Sequence, residues 1–126
     1  MENNAVFSKY KLLAIDIYEF CKKHGLWADN TIYFDGKAWS NSETWGDEIG
    51  KKITDDLYEY DNKDPRDYFD GGSSLLSMSF EGPLNHVLNC CYRRWVKLHD
   101  KFYKLFEKYD LYFEMYNSWN GNSYEI

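Results

Sequence analysis

What the sequence lacks narrows it first. No apolar run approaches the roughly 18 to 20 residues that a bilayer-spanning helix needs. The opening Met1-Glu2-Asn3-Asn4 has none of the basic-then-apolar pattern of a secretory leader, so a cytoplasmic chain is expected. Cysteine is scarce. Cys21, Cys90 and Cys91 form neither a disulfide framework nor a CxxC pair, and a bridge between the adjacent Cys90 and Cys91 would strain the peptide, so reduced thiols are expected. There are two prolines and no repeat, low-complexity tract or linker. Nothing divides the 126 residues, and a single domain spanning 1–126 follows.

Motifs that carry chemistry are also missing. There is no phosphate loop, no GxGxxG turn and no GxSxG elbow. Cys21-x2-His24 and His86-x3-Cys90 make a formal Cys2His2 set. On a helical wheel, however, Cys21 and His24 lie on the buried stripe of one helix, while His86 and Cys90 point away from the buried stripe of another, so no zinc is expected. A calcium loop starting at Asp61 fails because its third position is Lys63 and its sixth is Arg66. Cys91 or Ser73 can be paired on paper with His24, His86 or His99, but no spacing selects one combination. No catalytic residue, metal or cofactor is assigned.

Aromatic residues are plentiful: twelve Tyr, eight Phe and five Trp, enough to build a core and to exclude a disordered chain. Val6, Tyr10, Leu13, Ile17, Phe20 and Cys21 recur three or four apart and predict a helix from Val6 to Lys23, stopped by His24-Gly25. Thr31 to Phe34 and Lys37 to Ser40 flank Asp35-Gly36, the signature of a two-residue hairpin turn. From Ser42 to Tyr60 the spacing of Trp45, Ile49, Ile53 and Leu57 predicts a helix, interrupted by Gly46 and Gly50. Asp64-Pro65 opens a short turn that closes at Gly71-Gly72. Leu76, Met78 and Phe80 alternate with polar residues as on a half-buried strand. Gly82-Pro83 begins a long helix, residues 84 to 108, and Leu111, Phe113 and Met115 mark another strand that Asn120-Gly121 turns back. The expectation is an α+β two-layer sandwich: an antiparallel sheet of four or five strands, covered on one face by the N-terminal helix and the long helix, with a polar and aromatic face left over.

In the long helix, Leu84, Leu88, Cys91, Trp95, Leu98, Phe102, Leu105 and Phe106 fall on one stripe, opposite a cationic face of Arg93, Arg94, Lys97, Lys101, Lys104 and Lys108. Tyr92, Val96, His99 and Tyr103 lie between, and the first helix is expected to pack there. Negative charge concentrates elsewhere. From Glu43 to Glu81 eleven acids face four bases, a net of −7 in a chain whose total is −6. Each half of this polarity is satisfied by the plain reading that charged surfaces keep a protein soluble. A sharper reading is that spaced carboxylates compete with nucleic acid for a basic surface on another protein, the logic of small acidic inhibitors carried by phages and plasmids. Direct nucleic-acid binding is disfavoured by the net charge.

The sequence therefore predicts a non-enzymatic protein-interaction domain, an inhibitor or immunity-type protein of the phage or mobile-element kind that contacts a basic protein partner. Its expected contact residues are Asp55, Asp56, Glu59, Asp61, Trp39, Trp45, Tyr112 and Tyr116. Trp119, Tyr33 and Tyr124 belong to the same aromatic surplus, which a homodimer would cover through the sheet face or an edge strand. The alternative is a small enzyme or ligand-binding domain with a pocket between sheet and long helix near Cys91, Trp95 and His99.

Overall fold

The computed structural model describes residues 8–72, 75–89 and 93–126. Helix α1 (Lys9–Lys23) starts where the Ser8 hydroxyl accepts the Lys11 N–H at 3.1 Å, and it buries Leu13, Ala14, Ile17, Phe20 and Cys21. It stops at Gly25, whose φ of 68° suits glycine. β1 (Asn30–Phe34) and β2 (Lys37–Ser40) form the expected hairpin, with Asp35 and Gly36 both at positive φ as a type I′ turn requires. Then come β3 (Thr44–Trp45), β4 (Glu48–Ile49), β5 (Lys51–Thr54) and β6 (Leu57–Asp61), and a single tight turn at Pro65–Asp67 capped by the Asp64 carboxylate. β7 (Leu76–Phe80) and α2 (Pro83–Leu88) follow, then a short 3-10 turn at Arg93–Trp95 leading into α3 (Val96–Glu107). β8 (Leu111–Asn117) and β9 (Asn120–Glu125) end the chain.

All strands but two join one antiparallel sheet in the order β5-β6-β2-β1-β7-β9-β8, and β3 and β4 pair separately as a small arm. The fold is α+β, with helices packed on the sheet as expected, but the sheet has seven strands instead of four or five. The extra strands come from residues 42–60, which are not a helix. A spacing of four is even, so it fits a strand as well as a helix; here Ile49 and Ile53 are exposed, Leu57 is buried, and Gly46 turns the chain at a φ of 61°. Asp55-Asp56 makes a second two-residue turn, between β5 and β6.

Two further expectations need correction. The helical stretch after Pro83 is in pieces: α2 ends at Asn89, where the side-chain amides of Asn85 and Asn89 both donate to the Ser118 carbonyl and tie this short helix to the β8–β9 turn. That turn is Ser118-Trp119, with Asn117 Oδ1 accepting the backbone N–H groups of Trp119 and Asn120, and Gly121 sits within β9 opposite Met78 and Met115. Val6, Ser73, Cys90, Cys91 and Tyr92 lie outside the described residues.

The register separates two faces. Ile32, Phe34, Trp39, Leu57, Leu76, Met78, Phe80, Leu111 and Phe113 point toward the helices and join the stripes of α1, α2 and α3 in the main core. Phe102 lies 5.2 Å from Phe113 and 6.0 Å from Phe20, so α3 wedges between β8 and α1. Contrary to expectation, α1 does not pack on the Val96, His99 and Tyr103 flank. Tyr103 meets Phe113 of β8, and α1 lies against the other edge of α3, where Tyr109 and Lys108 both reach Asp16. On the far face of the sheet Tyr33, Ala38, Tyr60 and Phe69 form a second, smaller cluster.

Candidate functional site

The far face is covered by two irregular segments. In the first, residues 41–50, Trp45 lies 5.2 Å from Tyr60, 5.1 Å from Tyr68 and 6.1 Å from Tyr33. The Tyr60 hydroxyl donates to the Ser42 carbonyl at 2.6 Å, and Gly50 N–H donates to Glu43 O at 2.9 Å, closing the arm on itself. A side chain at Gly50 would collide with the Tyr60 ring, so the arm lies flat because glycine stands there. In the second segment, residues 62–72, Phe69 packs on Tyr33 and Trp119, each at 5.7 Å, and the Asn122 amide donates to Gly71 O at 2.5 Å.

Charge within this cover is partly cancelled. Its six acids, Glu43, Asp47, Glu48, Asp64, Asp67 and Asp70, meet two bases, Lys63 and Arg66. The Lys63 ammonium stands 4.8 Å above Trp45, 6.0 Å from Tyr60 and 2.7 Å from Glu48, whose hydrogen bond raises the lysine pKa. Arg66 forks onto Asp64 at 2.8 to 3.2 Å, which lowers the carboxyl pKa. Among the described residues, no ion-pair partner falls to Glu43, Asp47, Asp67 or Asp70. All four are exposed, beside Ile49 at 76% exposure and Tyr68 at 44%. Burial raises the Tyr33 pKa beneath them, helped by Tyr68, so that phenol stays neutral.

The acids singled out from the sequence sit elsewhere, and most are engaged. Asp56 accepts the Tyr18 hydroxyl at 2.6 Å and the Lys22 ammonium, and fastens the β5–β6 turn to α1. Glu59 accepts the Trp39 indole N–H at 3.0 Å and Lys37 at 3.3 Å, and Asp61 shares that lysine at 3.5 Å. Asp55 is fully exposed near Lys52. Trp39 itself is 4% exposed and is a core residue on the helix side, whereas Trp45 is half-buried in the cover. Tyr112 and Tyr116 stand exposed on the far face at β8, Tyr116 over Gly71. Arg93, Arg94, Lys97, Lys101, Lys104 and Lys108 are all exposed on the helical layer, opposite the cover. Which carboxylates stay free depends on hairpin pairings, so no local signal in the sequence could have separated Asp47 from Asp56.

Of the described residues that could carry chemistry, Cys21, His24 and His99 stand in separate surroundings. His99 stacks on Tyr103 at 4.5 Å beside Asp100, and Trp95 is half-buried under the Arg94 guanidinium. Burial pushes the Cys21 thiol up to about 12, far from a nucleophile's range. His24 is kept below its usual pKa by burial and by Lys23 and Lys101. A polar cleft of about 500 Å³ opens at one end of the sheet between Asp29, Thr31, Ser40, Ser79 and Glu81. Among the described residues, no His, Cys, Asp or Glu group of three or more is placed to hold a metal ion, and no helix is long and apolar enough to cross a membrane.

Fold and surface define an α+β domain whose antiparallel sheet separates a basic helical layer from an acidic aromatic one. No family model matches the chain, and no curated protein or solved structure matches it either.

Proposed function

We propose that this domain is a non-enzymatic interaction protein of the inhibitor or immunity type, and that its acidic aromatic cover docks on a basic surface of a partner protein. The observation that supports this most is the set of four carboxylates, Glu43, Asp47, Asp67 and Asp70, that have no ion-pair partner among the described residues and are fixed around the exposed Ile49 and Tyr68 by a buried aromatic cluster. Such a surface combines long-range attraction to a basic partner with apolar area that excludes water at contact. Because the carboxylates are held by an arm and a loop fastened to the sheet, little ordering is left to be done on binding. The contact set is thus moved from Asp55, Asp56, Glu59 and Asp61 to the cover, since Asp56 and Glu59 already hold the fold together.

The test is affinity capture from the native cell with two baits, the natural chain and a Glu43→Lys, Asp47→Lys, Asp67→Lys, Asp70→Lys variant. A basic protein retained by the first, released by salt and absent from the second is the expected result. Equal capture by both baits removes the cover from the mechanism. Thermal melts should place the two within about 1 kcal/mol, because exposed charges contribute little to folding.

A further inference from the structure

On the helical layer a groove of about 590 Å³ lies between α1 and α3. The helices run antiparallel along it, from Asp16 beside Lys108 and Tyr109 at one end to His24 near Lys101 at the other. Phe20 and Leu105 form its floor, and Lys23, Lys101 and Lys104 line its rim with Glu19 on the α1 wall. Asp16 occupies Lys108, but among the described residues Lys23, Lys101 and Lys104 have no ion-pair partner. Burial first, and then Lys23 and Lys101, hold the His24 pKa below its usual value at this end of the groove.

An apolar floor with a cationic rim is complementary to an acidic surface that carries exposed apolar side chains. That surface exists on the same chain: Glu43, Asp47, Asp67 and Asp70 around Ile49 and Tyr68. The seven-stranded sheet stands between the two, so they cannot meet within one molecule. We propose that the α1–α3 groove of one copy receives the acidic cover of a second copy, so that molecules stack front to back. The contact joins two different patches, so it is heterologous: a stack of any length still offers one free groove at one end and one free cover at the other, and the assembly grows with concentration. This rests on reading the cover as a contact surface. It adds that stacking hides the carboxylates meant for a basic partner, so the stack is a masked form.

Sedimentation velocity on the full chain, from micromolar to millimolar protein, tests it with two variants. The groove variant is Lys101→Ser, Lys104→Ser, and the cover variant is Glu43→Gln, Asp47→Asn, Asp67→Asn, Asp70→Asn; melting curves confirm that both fold. The natural chain should sediment faster as concentration rises and lose this at molar salt, where screening reaches within about 3 Å. Each variant alone should stay monomeric. Mixed, they should form a discrete one-to-one complex, because one keeps the cover and the other keeps the groove, and the His24 pKa of the cover variant should rise as the groove variant is added. A natural chain that stays monomeric throughout overturns the inference, as does a dimer that both variants retain, which would indicate an isologous contact such as β8 pairing. If stacking is absent while the groove variant still captures a basic protein, only the stacking falls. If stacking is present and no basic protein is captured, only the heterologous partner falls.

Discussion

Asp56 shows how a single side chain can matter more to the fold than to the surface. Desolvation pulls its pKa up, but hydrogen bonds from Lys22, Tyr18 and Thr54 outweigh it, and the net shift is downward. A carboxyl with a depressed folded pKa contributes stability in full above its ordinary value of 3.8, and that contribution is lost as pH falls through the folded value. Urea unfolding between pH 5 and 2 should therefore show an acid-side decline in the natural protein that is shallower in Asp56→Asn. Lys63 makes a second residue-scale case. Exchanging it for Met removes a half-enclosed cation from the Trp45 and Tyr60 faces and leaves Glu48 unpaired, which should cost about 1 to 2 kcal/mol in chemical denaturation followed by tryptophan fluorescence. Gly121 is required for a third reason: a methyl group there would strike the Phe113 ring and the Glu114 carbonyl. Gly121→Ala should lose about 1 to 3 kcal/mol by overpacking, and Phe113→Leu in the same chain should recover part of the loss.

Among the elements, the arm of residues 41–50 depends on one hydroxyl more than on its own strands, since β3 and β4 are two residues each. Tyr60→Phe deletes the donor to Ser42 O, and with it roughly 0.5 to 1.5 kcal/mol of arm closure. Hydrogen exchange should report this as faster exchange at Gly50 N–H, with β1 and β7 amides unchanged. The elements also differ in how well their sequences announce them. Asp35-Gly36 allows one tight turn and nothing else, and Leu76, Met78 and Phe80 can bury together only on a strand, so both were readable. Trp45, Ile49, Ile53 and Leu57 were misleading because their spacing satisfies both periods. The decision fell to Gly46, to the Asp55-Asp56 turn and to the pairing of Tyr58 and Tyr60 with β2.

For the molecule as a whole, polarity is the organising property. Among the described residues the helical layer holds Lys23, Arg93, Lys97, Lys101 and Lys104 without enough acids to balance them, and the cover holds the reverse. The Debye length at physiological salt is about 8 Å, shorter than the separation of two layers across a sheet, so each face acts on its surroundings almost independently. Binding of a basic partner by the cover should weaken steeply as salt rises, while the melting temperature, set by the apolar core, should move little.

The sequence by itself determined the first helix, the first hairpin, the β7 strand and the amphipathic division of the last helix, because each is written in local periodicity or in a turn that admits few residues. It also determined that charge would be segregated, since acids and bases occupy different stretches of the chain. Only the tertiary structure decided which acids remained free, that Trp39 is core while Trp45 roofs the far face, and which edge of α3 received α1. Those outcomes depend on pairings between segments tens of residues apart, where register and the competition of Lys22, Lys37 and Lys63 for nearby carboxylates are settled by packing.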